Sequence, residues 1–360
     1  MNNLKYMPVF RLRQQEQLVL EAFDFGKRIF PCLEIIKEHD RERKNNQKSF
    51  EEILIPLLKK INSVKIFIDL PVHIRETRAM KKPTLNFFRK VISNRRIRTD
   101  YILKLNNLSD KIIPIISSYF PRTGEQNSIL LQESDLRKHF KSLAFRTLTS
   151  NFKNDISQIE KIATKDDHLI VDFEDNTLEM EEDEEAYLKI QERLNTFKKC
   201  PIIILRSAIS DELTNVSLDH GKKITSVNNN HIYQFTDFSG SCFADYAGIK
   251  KDKITEGGGI SPGFIYYDAI RNHFYGYKGK VKRLVEFETT IVPDVIASPA
   301  TKRMSVAGDF LDSRNFGWSI ILGINSGKEK GKSMAKFKRI AMEHYLHCIR
   351  TKINKGDFDS

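Results

Sequence analysis

Glu34, Asp69 and Asp172 each close a short apolar run, PCLE, IFID and LIVD, and Glu174 follows two residues behind the last of them. Arg146 and Arg206 stand at the ends of two further runs, LAFR and IIILR, with Arg122 further from its own. Carboxylates gathered at one place can hold Mg²⁺, a cation that takes oxygens from protein and substrate phosphates together. One of them could instead act as a general base. Guanidinium groups grip phosphate or carboxylate bidentately. The pattern therefore predicts a site in which Glu34, Asp69 and Asp172 serve as metal ligands or base and Arg146 and Arg206 clamp an anion. The same residues have a second use, because buried charges are usually paired: the carboxylates could cap loops or bind the arginines in a structural network. Parity along each strand matters to both readings, since a residue one position along points to the opposite face.

Bringing these residues together requires a particular arrangement of elements. HLIVDFED, a segment with apolar residues at Ala186, Tyr187, Ile190, Leu194 and Phe197, and CPIIILRSA read in turn as strand, helix and strand. That is a parallel crossover unit, and ligands meet such folds at the carboxyl ends of the strands. Upstream, MPVFRL, IFPCLEII, SVKIFIDLP, KIIPIISSYFPR and SLAFRTL repeat the strand pattern. Between them lie helix-like stretches, including one after Ser49, which forms a capping box with Glu52. An eighth strand is expected around CFADYAGI. Eight strand–helix repeats predict a (β/α)8 TIM-like barrel. An open doubly wound sheet gives the same local signal, but no glycine fingerprint follows the first strand.

The carboxyl-terminal part has a different texture, which predicts a barrel over residues 1–250 and an α+β elaboration over 251–360 that completes or caps it. FIYYDAI and HFYGYKG read as a β-hairpin, WSIILGI as a strand, and MAKFKRIAMEHYLHCIR as an amphipathic helix. Gly257, Gly258 and Gly259 could offer backbone N–H groups to a phosphate, although such a triplet also suits a flexible loop. SGKEKGKS resembles a phosphate-binding loop, but Ser326 stands where the first glycine is required, so a basic solvated loop is the expectation. The acidic stretch 172–185 reads as a solvated charge block that could dock a basic partner. His344 and His347 share a helical face without a third metal ligand and are expected to pack.

The composition narrows the class. The chain has 360 residues with 59 Lys and Arg against 47 Asp and Glu, a formal charge of +12. A basic surface favours phosphate-bearing partners, nucleic acid or nucleotide. The four cysteines are far apart, so neither a disulfide framework nor a zinc site of common spacing is expected. No run of apolar residues is long enough to span a bilayer and no signal pattern opens the chain. A cytoplasmic protein without a membrane partner is the expectation.

The order of MPVFRLRQQEQLVLEAF, IFPCLEII, KIFIDLP, HLIVDFED, FADYAGI and FIYYDAIRNHFYGYKG, with the late GDF and MEHYLHCI, resembles the phage Beta-protein family. The chain departs from the family's pattern at Gln15-Glu16, at Tyr266-Tyr267, and in the spacing of His344 and His347. The resemblance implies a setting, phage and defence-like loci, and no settled reaction. Combined with the strand-end charges, it predicts a phage–host conflict protein whose barrel rim acts on a phosphodiester or nucleotide, as a metal-dependent nuclease or phosphodiesterase would. The alternative is a non-catalytic module that recognises nucleic acid or a partner protein, such as a nuclease-like companion, in a two-component effector.

Overall fold

A computed structural model of the chain describes residues 4–38, 48–74, 76–118, 120–176, 178, 184–251, 254 and 261–359. Eight parallel strands close into a barrel: β1 (Tyr6–Arg11), β2 (Cys32–Glu34), β3 (Ile66–Asp69), β4 (Ile112–Ser117), β5 (Ala144–Leu148), β6 (His168–Asp172), β7 (Ile202–Leu205) and β8 (Cys242–Asp245). Each pairs with its neighbours in sequence, and β1 joins β8 through Tyr6 opposite Phe243 and Met7 opposite Ala244. The strands are buried along their whole length, as expected of a parallel sheet whose outer face is covered by helices. The (β/α)8 expectation holds, and the open-sheet alternative does not.

Helices between the strands include α1 (Gln14–Ala22), α2 (Phe50–Lys60), α3 (Lys82–Ser93), α4 (Arg95–Leu103), α5 (Ser128–Leu136), α6 (Phe152–Ile162) and α7 (Glu184–Thr196). α2 starts where the capping box places it. Ser49 N–H donates to Glu52 Oε2 at 2.7 Å and Glu52 N–H to Ser49 Oγ at 3.4 Å. Its buried Phe50, Leu54, Leu57 and Leu58 recur at helical spacing, and Pro56 is accommodated within it.

Register fixes which side chains line the barrel, because strand partners in a parallel pair share a face. Cys32 is opposite Phe67, Phe67 opposite Ile113, Ala144 opposite His168, and Ile170 opposite Ile203. These residues form the inner layers. Phe67 and His168 pack edge to face, with ring centroids 5.2 Å apart. Burial pushes the His168 imidazole down to about 4, so a neutral ring serves as packing. Cys32, also inside, has its thiol held well above the ordinary range, first by burial and then by the negative charge of Asp69.

By its internal packing the chain divides into two units. The barrel unit comprises the residues up to Arg206 with Ile232–Asp245, and the second unit comprises Ser207–His231 with most of the chain after Tyr246. In the second unit, β9 (Gly263–Asp268) and β10 (His273–Lys278) form the expected hairpin, joined at the edge by Lys222–Lys223. WSIILGI, expected as a strand, lies in a helix, α8 (Phe316–Asn325). A short apolar run does not distinguish a buried strand from a buried helix, and here Asn315 caps a helix by accepting from Trp318 N–H at 2.9 Å. The final helix, α9 (Met334–Lys355), buries His344 against Tyr266, with ring centroids 4.7 Å apart. His344 Nε2 lies 2.8 Å from the Tyr267 carbonyl and Nδ1 2.9 Å from the Asn315 amide, so one ring nitrogen donates and the other accepts. Burial holds the ring neutral, pushed down to about 4.

Among the described residues, no helix is long and apolar enough to cross a membrane. The four cysteines are free thiols. Replacing Ser49 by alanine removes one half of the α2 capping box and is expected to cost about 1 kcal/mol in urea-unfolding free energy. An unchanged midpoint would show that tertiary packing alone sets where α2 begins.

Candidate functional site

The ladder that fixes the inner face also stacks charge on it. Arg11 pairs with Glu34, and Glu34 with Asp69, so β1, β2 and β3 each end with an ionisable side chain in one inward layer. On the other side of the barrel, Ser117 pairs with Arg146, and Leu148 with Asp172. Arg146 reaches across the enclosed space and meets all three carboxylates. Its Nη1 donates to Asp69 Oδ2 at 2.6 Å and to Glu34 Oε1 at 2.9 Å, while Nη2 and Nε donate to Asp172 Oδ2 at 2.7 and 3.1 Å. Arg11 adds a second guanidinium, donating from Nε to Glu34 Oε2 at 2.9 Å. His73, in the loop after β3, places Nε2 3.5 Å from Arg146 Nη2 and 3.7 Å from Glu34 Oε1.

The three carboxylates are unequally satisfied. Both oxygens of Glu34 are taken by arginines. Asp172 gives Oδ2 to Arg146 and Oδ1 to the Glu174 N–H at 2.8 Å. That last bond needs the chain to double back, which Glu174 achieves at φ 57, a left-handed conformation uncommon for a non-glycine residue. Asp69 binds Arg146 through Oδ2, and its Oδ1 has no hydrogen-bond partner among the described residues. Glu34, Asp69, Asp172, Arg11 and Arg146 are all buried, and among the described residues three acids face two guanidiniums. Protonating the least satisfied acid relieves the imbalance. Burial, opposed by Arg146 and reinforced by Glu34, pushes the Asp69 carboxyl up to about 6.

A second polar cluster lies on the opposite parity. Ser118, one residue past β4, donates to Asp155 Oδ1, and Asn151 Nδ2 donates to the same oxygen at 2.8 Å and to Ser118 Oγ at 3.1 Å. Asp155 sits in the first turn of α6, and burial pushes it too up to about 6.

The expected residues thus separate. Glu34, Asp69, Asp172 and Arg146 come together. Arg206 follows the inward Leu205 by one position, and its Nε donates to the Asn176 carbonyl at 2.6 Å in the loop beyond β6. Gly257, Gly258 and Gly259 lie outside the described residues, as do 177 and 179–183 of the acidic run. The point where the carboxylates meet is filled by a guanidinium. Among the described residues, no group of three or more His, Cys, Asp or Glu side chains is disposed to hold a metal ion. Sequence reasoning missed Arg11 and His73. Arg11 had a signal, since it ends an apolar run as Glu34 and Asp69 do; His73 had none.

The class this geometry defines is a (β/α)8 barrel with a buried, arginine-centred charge network at the carboxyl ends of its strands. The chain belongs to the Beta protein family, whose model matches residues 6–350. No curated protein and no solved structure matches it.

Asp69→Asn keeps the shape of the network and removes the titration. Wild-type Asp69 binds its proton more tightly folded than unfolded, where its ordinary value is 3.8. Its contribution to stability is therefore greatest at low pH and is lost as pH rises toward about 6. Thermal melts of wild type and variant between pH 4 and 8 are expected to show wild type losing ground to Asp69→Asn across that window, by at most about 1.4 kcal/mol for each pH unit crossed. A constant gap would mean Asp69 is ionised throughout.

Proposed function

We propose that the barrel mouth is an acid–base site for a phosphate-bearing substrate, a nucleotide or a phosphodiester, with Asp69 as the proton carrier. The observation that supports this is the Asp69 oxygen at the carboxyl end of a barrel strand that has no partner among the described residues, on a carboxyl pushed up to about 6. A general base is most effective when its pKa lies near the working pH. In a hydrolytic step, the Asp69 carboxylate would take a proton from the attacking water as the new P–O bond forms. The leaving oxygen would keep the electrons of the broken bond and be protonated from solvent. Arg146 holds the carboxylate in place, and His73, beside both Arg146 and Glu34, is the second candidate for proton transfer. The net positive charge of the chain favours an anionic substrate. We assign phage–host conflict as the setting on the family likeness alone.

A second reading draws on another observation. Arg146 Nε, Nη1 and Nη2 all donate to carboxylates, which also suits a network that holds the barrel together while the protein binds nucleic acid or a companion protein without turnover.

Purified wild type and Asp69→Asn, incubated with nucleotides, single- and double-stranded DNA and RNA, with and without Mg²⁺, separate the two. The acid–base reading expects turnover of at least one substrate, reduced by about 100-fold or more in the variant, and a wild-type rate that falls below pH 6. Binding without turnover would favour the recognition module. Equal rates in both proteins would remove Asp69 from the chemistry.

A further inference from the structure

Over half of the chain's positive excess lies in its last hundred residues, 261–360, which carry 17 Lys and Arg against 10 Asp and Glu. Two exposed loops in the second unit concentrate it. One, after β10, presents Lys280, Lys282 and Arg283; the other, between α8 and α9, presents Lys328, Lys330 and Lys332. The two loops are far apart in sequence, yet a single three-residue segment grips both. Glu286 Oε2 accepts from Lys280 N–H at 2.6 Å, and Glu288 Oε1 accepts from Gly331 N–H at 2.6 Å. Between them, Phe287 stacks face to face on Phe337 of α9. The side chains of Arg283 and Lys332 lie 3.8 and 4.0 Å from the same two glutamates.

Each loop meets this clasp with a glycine, and in both cases the reason is space. A Cβ on Gly279 would come within 2.9 Å of Glu286 Oε2, and one on Gly331 within 3.0 Å of Glu288 Cγ and of the Phe287 ring. Lys282 turns the first loop with φ 64 and Arg283 N–H donates back to the Lys280 carbonyl at 3.1 Å. Flexible lysine tails would need no such fixing. Two lysine-rich loops secured by buried aromatic stacking and backbone hydrogen bonds form a preorganised array, in which less ordering cost attends binding.

We propose that these two clasped loops form one surface that binds the phosphate backbone of a nucleic-acid strand. Regularly spaced, fixed phosphates match a fixed array of cations, whereas a fluid anionic membrane rearranges its headgroups around any basic patch and gains nothing from the clasp. The protein would touch phosphates rather than bases, so binding would be strongly salt-dependent and weakly sequence-dependent. Such binding does not depend on chemistry at the barrel mouth.

The test is fluorescence anisotropy of labelled single- and double-stranded oligonucleotides with the full chain over a salt series, beside phosphatidylserine vesicles. Lys328→Glu/Lys330→Glu/Lys332→Glu is expected to weaken oligonucleotide binding by about tenfold or more and to flatten the salt slope by about one for each phosphate no longer neutralised. The sharper variant is Glu286→Ala/Glu288→Ala. It makes the patch more positive but releases both loops, and the proposal expects weaker binding. Gly331→Ala, which displaces the second loop without changing charge, should weaken binding too and serves if the double variant misfolds. Tighter or unchanged binding by the clasp variants would reduce the patch to net charge alone and overturn the proposal. Binding to vesicles but not oligonucleotides would overturn it as well. Turnover by Asp69→Asn tests the barrel mouth and oligonucleotide anisotropy of the loop and clasp variants tests this surface, which separates failure here from failure of the proposed chemistry.

Discussion

Arg146 is the side chain on which the barrel depends. It is 2% exposed, and the carboxylates it meets are no more accessible. Removing a charge from water costs several kcal/mol per ion after relaxation, roughly, unless geometry and hydrogen bonds compensate. Glu34, Asp69 and Asp172 are therefore tolerable in the interior only because one planar, five-donor group reaches all of them. They lie 112, 77 and 26 positions away in sequence. Only a closed ring of strands brings β2, β3 and β6 around a side chain from β5, so network and closure require each other. A lysine could not replace the arginine, since a point charge has no fork with which to span three acceptors.

The network is nearly, but not fully, saturated, and the proposed proton transfer rests on that remainder. Among the described residues three acids meet two guanidiniums, and Asp69 is the acid with an oxygen left over. A residue placed there for stability alone would be better satisfied or apolar, because replacing buried ion pairs with packed hydrophobic groups is often stabilising. In the second unit, charge is handled differently. The basic residues of its two clasped loops stay exposed, and glutamates bond the backbone beneath them. The barrel unit buries its charges in a network, and these two loops display theirs.

Much of this was legible in the chain. Strand runs ending in Glu34, Asp69 and Asp172 marked the rim, and eight repeats without a glycine fingerprint favoured a closed ring over an open sheet. What sequence could not supply was geometry across the barrel. Nothing local tells that Arg146 points at Glu34 rather than at solvent, or that Arg206, one step past an inward leucine, turns to a backbone carbonyl. Parity also separates neighbours: Ser117 shares the layer of Arg146 while Ser118 turns to Asp155. The apolar run WSIILGI was ambiguous between helix and strand, and Asn315, its cap, was the signal that could have decided it. The resemblance of SGKEKGKS to a nucleotide loop fails because a helix precedes it, and Glu288 already occupies the Gly331 N–H.

Arg146 stabilises the barrel through the charges of the three acids, and a double-mutant cycle measures this directly: unfolding free energies for Arg146→Met in wild type and in Glu34→Gln/Asp69→Asn/Asp172→Asn. In wild type the substitution leaves buried acids uncompensated and is expected to cost about 3–5 kcal/mol; in the amide background it should cost little or become stabilising. Equal costs in the two backgrounds would show that the arginine acts by packing alone, and the charge network would lose its place as the organising feature of the fold.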